Sequence, residues 1–531
     1  MKRILTALLF LLTALFARAD GRKVTVAVFC LNDFHSGFAR DAEKEMPGAA
    51  AVWQTLDSLK AVYPYHVTVS AGDNFGGSYF HSATRGALLP YFFAGCGIAL
   101  SAVGNHEFDD GQDFFNRRWA DAPLRPDNWT IDYVGANVRD ASGRLPLGIL
   151  PAKTVSVPLG PSGDSVRVAF VGLTTHSTHW QASKSRIKDL YFDRKYRQTL
   201  DSLRQTPAFA PVAAADVRLL LMHVGTAQDS LGASRWIDPA VDDLAALDDT
   251  TWHALFTSHT HQPVCGRIGR YPVTQGYWHG GYIAMMKINF DTDSRRVLSV
   301  EPSLVPVRPD IALGPGPRRM EALVDSVLRH TVTAAGTPIG TPLTVVREPI
   351  THSRSDKMRQ TRMGSLVCEA YARAAARALG DKGDEAMVVG VSHFGSIRTG
   401  FGPGRLTVLD VGEALPFANA IRVYAMTAGQ LAALVARGYG NTEYGRMQTA
   451  RFEAVREDSG CLLHFYYVAP DGRRRRIEAS DTIYIAADEY MTTGGDGYGP
   501  EVFPSACDVT PSGLPCTTDA FIDYLRTLSE I

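Results

Sequence analysis

Five short segments in the first half of the chain each place a metal-ligand type of side chain directly after an apolar, strand-like stretch. The apolar stretches are Val24–Leu31, His66–Ala71, Ile98–Val103, Val217–Met222 and Trp252–Thr257. The segments that follow them are Asn32-Asp33-Phe34-His35, Gly72-Asp73-Asn74, Gly104-Asn105-His106-Glu107-Phe108-Asp109, His223 and His259-Thr260-His261. Because strand ends converge at one edge of a sheet in open α/β folds, these side chains are predicted to meet in space.

The residue types in these segments indicate the chemistry of the predicted site. Aspartate, asparagine and histidine together, with no cysteine among them, suit a pair of divalent metal ions, and zinc, manganese, iron or cobalt would fit. Two such ions roughly 3.5–4 Å apart can activate a water molecule and clamp phosphoryl oxygens during in-line displacement. A lone Asp-x-His or His-x-His is more often a satisfied polar pair, so the prediction depends on all five segments occurring together. The sequence therefore predicts metal-assisted hydrolysis.

The order of the motifs resembles that of the calcineurin-like metallophosphoesterases, and more closely their 5′-nucleotidase branch. The resemblance implies one metal held by Asp33, His35, Asp73 and His261, and a second held by Asp73, Asn105, His223 and His259. Asp73 would bridge the two ions. Ser258 stands where the family usually has glycine before the His-x-His pair.

The resemblance also implies roles for two residues that follow the third strand. His106 would stabilise transition-state charge or the leaving oxygen, and Asp109 would set its tautomer. The alternative for Asp109 is an N-cap or a turn residue.

Length and composition are those of an ordinary globular protein with more than one domain. The chain has 531 residues, 45% of them hydrophobic and 21% charged, which favours two or three domains. The formal net charge of −1 gives no global field that would recruit nucleic acid, so local groups would have to bind an anionic substrate. The sequence does not indicate an oligomeric state.

The N-terminus has the pattern of an export signal. Lys2 and Arg3 precede the apolar stretch Ile4–Phe16, and Ala17-Arg18-Ala19 is an Ala-x-Ala cleavage pattern. Residues 1–19 are therefore predicted to be a signal peptide, and the mature protein to be periplasmic or extracellular. The apolar stretch is shorter than the ~20 residues of a membrane span, so no span is predicted.

A proline-rich stretch divides the chain. Prolines and glycines between residues 302 and 317 interrupt the regular pattern, and Arg318–Val332 then has helical spacing. We predict a metal domain over residues 20–310, a connecting helix or linker over 311–340 and a second domain over 341–531. For the metal domain the resemblance implies a four-layer αββα sandwich.

The second domain shows a mixture of predicted helix and short strands that is typical of an α+β fold. The helix is predicted over Met363–Leu379. Strands are predicted over Leu343–Glu348, Ala386–Val391, Ala420–Met426, Cys461–Val468 and Thr482–Ala487. Nearby, Cys507 and Cys516 flank a proline- and glycine-rich loop, and a disulfide between them is left open.

Three further motifs of the second domain resemble the nucleotide-binding loops of the 5′-nucleotidases. They are His393-Phe394-Gly395-Ser396-Ile397-Arg398, Leu415-Pro416-Phe417-Ala418-Asn419, and Tyr490 with Gly494-Gly495-Asp496-Gly497-Tyr498. The resemblance implies that Phe417 and Tyr490 stack on the base, that Asp496 binds ribose hydroxyls and that Arg398 contacts phosphate. Asn419 and His393 would complete this site. Taken singly, the two aromatic residues would more often be core and the Gly-Gly-Asp-Gly segment a turn.

The chemistry of these residues is consistent with a nucleotide. Stacking of a base on an aromatic side chain is worth ~1–3 kcal/mol, carboxylates accept hydrogen bonds from diols, and arginine donates a fork to phosphate. The family has Asn-Gly-Gly where this chain has His393-Phe394-Gly395, so Phe394 is expected to add bulk near the pocket. Lys357 aligns best with a phosphate-binding arginine of the family, and Arg359 or Arg362 could substitute.

The sequence as a whole predicts an exported hydrolase of nucleoside 5′-phosphates. The alternatives within this class are a 2′,3′-cyclic phosphodiesterase/3′-nucleotidase and a nucleotide-sugar hydrolase. A non-catalytic nucleotide-binding surface protein is the alternative from another class, and the intact ligand set argues against it. The four arginines Arg473–Arg476 are predicted to be a charged hairpin edge rather than a nucleic-acid site.

Overall fold

A computed structural model describes most of the chain and divides it into two compact units. The described residues are 23–41, 46–117, 124–127, 129–161, 163–182, 186–237, 242–352, 356–380, 383, 386–456 and 463–531. The division falls between Asp325 and Ser326, inside a helix that runs from Pro315 to His330. The predicted signal peptide and Cys461 lie outside the described residues. We refer to the two parts as the first and second units.

The first unit contains two large sheets. Its strands are β1 (Lys23–Leu31), β2 (His66–Ser70), β3 (Ile98–Ala102), β4 (Asp132–Val134), β5 (Val138–Asp140), β6 (Ile149–Leu150), β7 (Ala152–Pro158), β8 (Ser165–Thr174), β9 (Leu190–Phe192), β10 (Val217–Gln228), β11 (Ser234–Trp236), β12 (Ala254–Ser258), β13 (Val264–Ile268), β14 (Tyr271–Gln275), β15 (Tyr282–Asp291) and β16 (Arg296–Pro306). One sheet has the order β16-β15-β1-β2-β3-β4-β6, and the other β13-β14-β12-β10-β8-β7 with β11 beside β10. Strands β1, β2, β3 and β4 are parallel, as are β8, β10, β12 and β14.

The two sheets share one hydrophobic core. Alternate residues of β1, such as Val26 and Val28, pack in the same buried cluster as Phe170 of β8 and Leu219 of β10. This follows from the alternation of side chains along a strand, which sends every second residue to one face. The helices of the first unit lie outside this core.

The helices of the first unit are α1 (Gly48–Val62), α2 (Tyr79–Thr84), α3 (Leu89–Cys96), α4 (Gln112–Arg117), α5 (Thr178–Gln181), α6 (Tyr196–Arg204), α7 (Ala210–Ala213), α8 (Asp242–Ala245) and α9 (Pro315–His330), the last crossing into the second unit. Short 3₁₀ turns cover His106–Phe108, Pro207–Phe209 and Trp278–Gly280. Leu200 and Leu203 of α6 pack with Met222 on the outer face of the second sheet. Phe29 of β1, which points away from the shared core, meets Tyr63 at the end of α1 with ring centroids 6.2 Å apart. Helices therefore cover both outer faces, and the predicted αββα sandwich is confirmed.

The second unit combines three small sheets with helices, which confirms the predicted α+β mixture. Its strands are β17 (Pro342–Val346), β18 (Met387–Ser392), β19 (Gly404–Thr407), β20 (Ile421–Thr427), β21 (Gln448–Ala450), β22 (Phe452–Arg456), β23 (Leu463–Val468), β24 (Arg474–Arg476) and β25 (Thr482–Asp488). Its helices are α10 (Arg362–Leu379), α11 (Val408–Ala414), α12 (Ala428–Tyr439), α13 (Glu489–Thr492) and α14 (Thr517–Leu525), with 3₁₀ turns at Phe394–Ser396, Gly495–Gly497 and Ser505–Cys507. The sheets have the orders β20-β25-β18-β21, β17-β19 and β22-β23-β24.

Helix α10 is the central helix of the second unit. Thr361 caps it by accepting a hydrogen bond from the amide of Gly364, which explains why the helix begins at Arg362. Its buried Val367 and Tyr371 pack in one cluster with residues of the four-stranded sheet. The helix agrees with its predicted bounds to within one residue.

The arginine run forms the edge of a hairpin, as predicted. Strand β24 pairs antiparallel with β23, and its three residues are exposed. Each arginine of the run has an acidic partner: Arg473 with Asp471 at 2.6 Å, Arg474 with Glu453 at 2.8 Å, Arg475 with Asp481 at 2.6 Å and Arg476 with Glu478 at 3.8 Å. Charge along this edge is therefore locally compensated.

Two further observations concern the cysteines of the second unit and the length of the apolar helices. Cys507 and Cys516 are free thiols, and Cys516 caps helix α14 through the amide of Asp519. Among the described residues, no helix is both long and apolar enough to cross a bilayer.

Candidate functional site

The predicted metal ligands come together in the first unit, at the carboxyl ends of parallel strands. Three groups of side chains have ligand atoms within 4.8 Å of one another: Asp33 with His35 and His261, His35 with Asp73 and His106, and Asp73 with His223 and His259. Strands β1, β2 and β3 belong to one sheet, and β10 and β12 belong to the other, so both sheets contribute to the cluster. This is the edge at which open α/β sheets place their sites.

The first group of ligands surrounds a point that suits one cation. The Nε2 atoms of His35 and His261 lie 3.0 Å apart. Asp33 Oδ1 lies 3.6 Å from His261 Nε2 and 3.9 Å from His35 Nε2. Imidazole nitrogens and a carboxylate directed at one another across these distances form a donor set that zinc or manganese accepts.

The group formed by Asp73, His223 and His259 is arranged around His223. Its Nε2 lies 3.0 Å from Asp73 Oδ2 and 3.1 Å from Asn105 Oδ1. The ring of His259 follows at 5.1 Å between centroids. Asp73 Oδ2 is also 3.8 Å from His35 Nε2, so one carboxylate faces both groups. The geometry matches the bridging role expected for Asp73.

Contacts on the far side of two imidazoles orient them for metal binding. His223 Nδ1 lies 3.0 Å from the carbonyl of Ala71 and 2.8 Å from Ser258 Oγ. His35 Nδ1 lies 3.3 Å from the carbonyl of Gly76. A proton on Nδ1 in both rings leaves the Nε2 lone pair free for a metal, which is the usual arrangement in such sites. Ser258, which departs from the family glycine, therefore supports a ligand.

Strand β10 differs from its prediction at one point. The sequence predicts that it ends before His223, but β10 continues to Gln228. Its pairing with β12 shifts register between Leu221 and Gly225. Such a local irregularity re-aims a side chain next to a site, and it places His223 in the cluster from within a strand.

Several ligand residues adopt a left-handed backbone. The φ angles are 49° for Asp33, 46° for His35, 53° for Asp73, 80° for His259 and 53° for His261. Non-glycine residues rarely adopt this conformation, and it persists where the surrounding fold over-determines it, commonly at functional sites.

Burial and neighbouring charges set the protonation of the central ligands. Burial lowers the pKa of His35 well below its usual value, in spite of the Asp73 carboxylate. Burial alone would raise the pKa of Asp73, but the imidazoles of His223, His106 and His35 hold it well below its usual range. A neutral imidazole and an ionised carboxylate are the forms that bind metals.

Glu107 is a structural residue of the site that sequence reasoning left without a role. It is fully buried, and its Oε2 accepts hydrogen bonds from the amides of Asp73 at 2.9 Å and Gly104 at 2.6 Å. Burial and the charge of Asp73 raise its pKa to about 7. A Cβ on Gly104 would lie 2.1 Å from Asp73 Oδ1, so glycine is required there. The Gly-Asn-His-Glu motif could have indicated this role, because its glutamate lies two residues after the predicted metal ligand Asn105.

The predicted pair His106 and Asp109 is formed. His106 Nδ1 lies 2.7 Å from Asp109 Oδ2, which also accepts from the amide of Gly77 at 2.8 Å. The His106 amide donates to Asp73 Oδ1 at 2.9 Å. Burial opposes protonation of His106, but Asp109 and Asp73 together raise its pKa to about 9. Asp109 is the C-cap residue of the 3₁₀ turn His106–Phe108, and its carboxylate contacts this imidazole in addition.

Three contacts to the ligand histidines come from residues that the sequence did not indicate. Ser177 Oγ and Gln181 Nε2 each lie 3.3 Å from His259 Nε2. The ring of Trp278 stacks on His261 with centroids 5.2 Å apart. The segments at residues 172–181 and 275–281 contain histidines but lie outside the five motifs from which the site was predicted, so these contacts were not predicted.

The second unit brings together three of its predicted ligand-binding residues. Asp496 Oδ2 lies 2.7 Å from His393 Nδ1, and Asp496 Oδ1 accepts a hydrogen bond from the Tyr490 hydroxyl at 3.1 Å. The rings of His393 and Tyr490 have centroids 4.9 Å apart. Tyr490 remains 46% exposed, which leaves ring surface open to a ligand.

The other predicted aromatic is exposed as well. Phe417 is 54% exposed, and the Arg398 guanidinium lies 5.8 Å from its ring centroid. Phe417 and Asn419 line a small cavity together with Ser396 and the buried Asp488. With about half of each side chain exposed, neither Phe417 nor Tyr490 belongs to the hydrophobic core, so the core alternative is wrong for both.

The predicted cationic segment, residues 357–362, forms hydrogen bonds with residues 443–446 through one backbone carbonyl and one side chain. Lys357 Nζ donates to the carbonyl of Glu443 at 2.6 Å, and Arg446 N donates to the carbonyl of Lys357 at 2.8 Å. Arg359 is mostly exposed and lies 3.6 Å from Asp356, and Arg362 is the first residue of α10. Lys357 thus contacts the 441–446 loop, whose Asn441 donates to the carbonyl of Asp496 at 2.9 Å.

Phe394 does not add bulk near the pocket, contrary to the sequence expectation. It is buried, and its ring stacks on His352 with centroids 4.2 Å apart. A Cβ on Gly445 would lie 2.8 Å from Phe394 Cβ, which shows how closely the backbone of the 441–446 loop passes it. The phenylalanine that departs from the family motif is thus absorbed in the core, while His393 contacts Asp496 and Tyr490.

Comparison with known proteins gives three similarities. The family model described as "5′-nucleotidase, C-terminal domain" matches residues 338–503. A 5′-nucleotidase of Diplobatis ommata is 24% identical over 537 residues, which is 93% of this chain and 86% of that protein. A trifunctional nucleotide phosphoesterase of Bacillus subtilis (strain 168) is 22% identical over 86% of this chain, but the chain spans only 32% of that relative.

A solved structure shows the same fold. The 5′-nucleotidase precursor from Thermus thermophilus aligns with a TM-score of 0.61 at 18% identity, covering 96% of this chain and 97% of that one. The family match in the second unit, the curated relatives and the shared fold agree with the two sets of motifs. The second unit therefore matches the 5′-nucleotidase C-terminal domain, and the chain as a whole is similar to 5′-nucleotidases in sequence and in fold.

Proposed function

We propose that the protein is a metal-dependent phosphomonoesterase that hydrolyses nucleoside 5′-phosphates to nucleoside and phosphate. The observation that carries the proposal is the position of Asp73, whose Oδ2 lies 3.0 Å from His223 and 3.8 Å from His35 in two adjacent ligand groups. A carboxylate shared in this way is what a pair of divalent ions requires. Export of the chain stays a prediction from residues 1–19.

The donor set fits two metal ions. Asp33, His35, Asp73 and His261 would hold the first, and Asp73, Asn105, His223 and His259 the second. Bound there, such ions would activate a water and polarise the phosphoryl oxygens. Two observations support this fit. The ligand side chains are largely buried, and the Nδ1 contacts of His223 and His35 leave their Nε2 lone pairs directed at the site.

His106 is proposed to stabilise the charge that develops on the departing oxygen. Asp109 fixes its Nδ1, so the other ring nitrogen is left to face the reacting group. His106 also belongs to one of the ligand groups, which makes a metal-ligand role the competing assignment. Metal content of a His106 variant separates the two.

The second unit is proposed to bind the nucleoside part of the substrate. Exposed Phe417 and Tyr490 offer faces for a base, and Asp496 offers acceptors for the ribose hydroxyls. Arg398 and Lys357 would contact phosphate. Because the Bacillus relative is named a trifunctional nucleotide phosphoesterase, the substrate panel of the test includes cyclic nucleotides and other esters.

The test is phosphate release from AMP by the full chain. We expect release with added Mn²⁺ or Zn²⁺, its loss after chelation, and its return when the metal is restored. A panel of AMP, ADP, UDP-sugars and 2′,3′-cyclic AMP identifies the preferred ester. Absence of phosphate release from every nucleotide in the panel, with two metals bound per chain, would refute the proposal and favour a non-catalytic binding protein.

A further inference from the structure

The carboxylate of Asp496 is held from both sides by hydrogen-bond donors. The Tyr490 hydroxyl donates to Oδ1 at 3.1 Å, and His393 Nδ1 contacts Oδ2 at 2.7 Å. The backbone of Asp496 is left-handed, with φ 51°, inside the 3₁₀ turn Gly495–Gly497. A strained turn that presents one braced carboxylate is typical of a site built for a ligand. We call Tyr490, His393 and Asp496 the carboxylate brace.

His393 is itself fixed in place by its surroundings. The side chain is buried, and its Nε2 lies 3.8 Å from Oδ1 of the fully buried Asp488. Asp488 is anchored because it caps helix α13 through the amide of Met491. Ser396 Oγ donates to the carbonyl of His393 at 2.9 Å, which holds the backbone at the same place. The imidazole is therefore a rigid support rather than a mobile surface group.

The turn that carries Asp496 is also tied down from behind. Asn441 Nδ2 donates to the carbonyl of Asp496 at 2.9 Å. Arg437 Nε donates to the carbonyl of Gly497 at 2.7 Å. Both donors lie at or just after the end of helix α12, so this helix fixes the turn while His393 and Tyr490 fix the side chain.

The brace leaves Asp496 able to accept two more hydrogen bonds. An ionised carboxylate has about four acceptor positions, two on each oxygen, and the brace occupies one on each. One acceptor position on each oxygen remains, which is enough to accept a hydrogen bond from each hydroxyl of a vicinal diol. Because the carboxylate is already oriented, binding a diol costs little additional ordering.

We propose that Tyr490 and His393 are positioning residues that set Asp496 to recognise a free vicinal diol, so that the protein selects ribonucleotides over 2′-deoxynucleotides and 2′,3′-cyclic phosphates. The inference rests on the proposed function, because it takes the second unit as the nucleoside site. It assigns Tyr490 two tasks: its ring face meets the base, and its hydroxyl orients Asp496.

The test measures nucleoside binding, which does not require hydrolysis. Calorimetry on the full chain compares adenosine with 2′-deoxyadenosine. We expect adenosine to bind the wild type about tenfold more tightly, as one hydrogen bond to a charged acceptor provides. Tyr490→Phe keeps the ring and removes the hydroxyl, and we expect this preference to fall to roughly one- to threefold with the affinity for 2′-deoxyadenosine retained.

Two variants of His393 distinguish positioning from a general loss of structure. His393→Ala should lose the preference for adenosine. His393→Asn should keep it, because the asparagine amide places a donor where Nδ1 stands. Tyr444→Phe is the matched control, since this tyrosine is also exposed and its hydroxyl bonds Glu443 instead of Asp496. Thermal melting of each variant reports whether it is folded.

The outcomes separate this inference from the proposed function. Equal binding of the two nucleosides by the wild type overturns the inference, as does an unchanged preference in Tyr490→Phe. Failure of both nucleosides to bind overturns it as well. If the preference behaves as expected but AMP is not hydrolysed, the inference stands and the proposed activity fails.

Discussion

The side chains of the two candidate sites differ in how far they are exposed to solvent. In the first unit, Asp33, Asp73 and His223 are almost completely buried. In the second unit, Phe417 and Tyr490 keep about half of their surface open, at 54% and 46%. Metal ligands must be held at fixed distances and shielded from competing water, whereas a base platform must present bare ring faces. The proposed reaction site is therefore distinguished by burial of its polar side chains, and the proposed recognition site by exposure of its aromatic side chains.

The sites nevertheless share one device. Both place charged side chains on left-handed backbone, at Asp33, Asp73 and Asp496 with φ of 49°, 53° and 51°. Each carboxylate also accepts hydrogen bonds that fix its direction: Asp33 from the amide of His259, and Asp496 from Tyr490. Pre-orientation of a carboxylate is thus common to the metal cluster and the carboxylate brace.

The largest effect is expected from the bridging ligand. Asp73→Asn keeps the shape of the side chain but removes the charge that two cations would share. We expect loss of both metals and a fall in phosphate release of roughly 10²–10³-fold or more. Metal analysis together with the AMP assay checks this, with Asp57→Asn on the surface of α1 as the control. Substantial activity with two metals still bound would show that the site is wrongly assigned.

His106 tests whether the first unit separates chemistry from metal binding. His106→Ala should retain both metals and lose roughly 10²–10⁴-fold in kcat, the range of a positioned acid or base. Asp109→Asn should have a smaller effect in the same direction, because it acts through His106. His66→Ala, at the opposite end of β2, is the control. Collapse of metal content in His106→Ala would instead identify His106 as a ligand.

A smaller effect is expected from the support of His223. Ser258→Ala removes the Oγ that lies 2.8 Å from His223 Nδ1, while the carbonyl of Ala71 remains. We expect metal affinity to fall about tenfold, at the low end for residues that orient a ligand. Thr68→Val, which removes a buried hydroxyl of β2 that has no hydrogen-bond partner among the described residues, should leave affinity unchanged. Equal affinity in Ser258→Ala would mean that the carbonyl alone orients the ring.

Most of the predicted metal ligands could be located because they follow a recognisable strand within a few residues. Asp33, Asp73 and Asn105 lie within three residues of a strand end, so a local pattern located them. The continuation of β10 past His223 could not be predicted, because it depends on a register shift against β12. Sequence periodicity locates a strand and its buried face, but it does not reveal a local irregularity in the pairing with a neighbouring strand.

Contacts between distant residues account for the rest. Ser177 and Gln181 reach His259 from about eighty positions away, and nothing in their own segment indicates it. Phe394 was expected near the pocket, but its ring turned to His352 because that contact buries it. The family motif located the loop correctly, while side-chain direction required the fold.

The central claim is that the two units divide the labour, and the ratio of two substrates tests it most directly. The measurement is KM for AMP and for p-nitrophenyl phosphate in the full chain carrying Phe417→Ala, Tyr490→Ala or both, with Tyr466→Ala on β23 as the control. We expect KM for AMP to rise roughly 5–100-fold, as loss of base stacking predicts, while KM for the small ester is unchanged. A parallel rise for both substrates would contradict the division of labour, and so would no change for either.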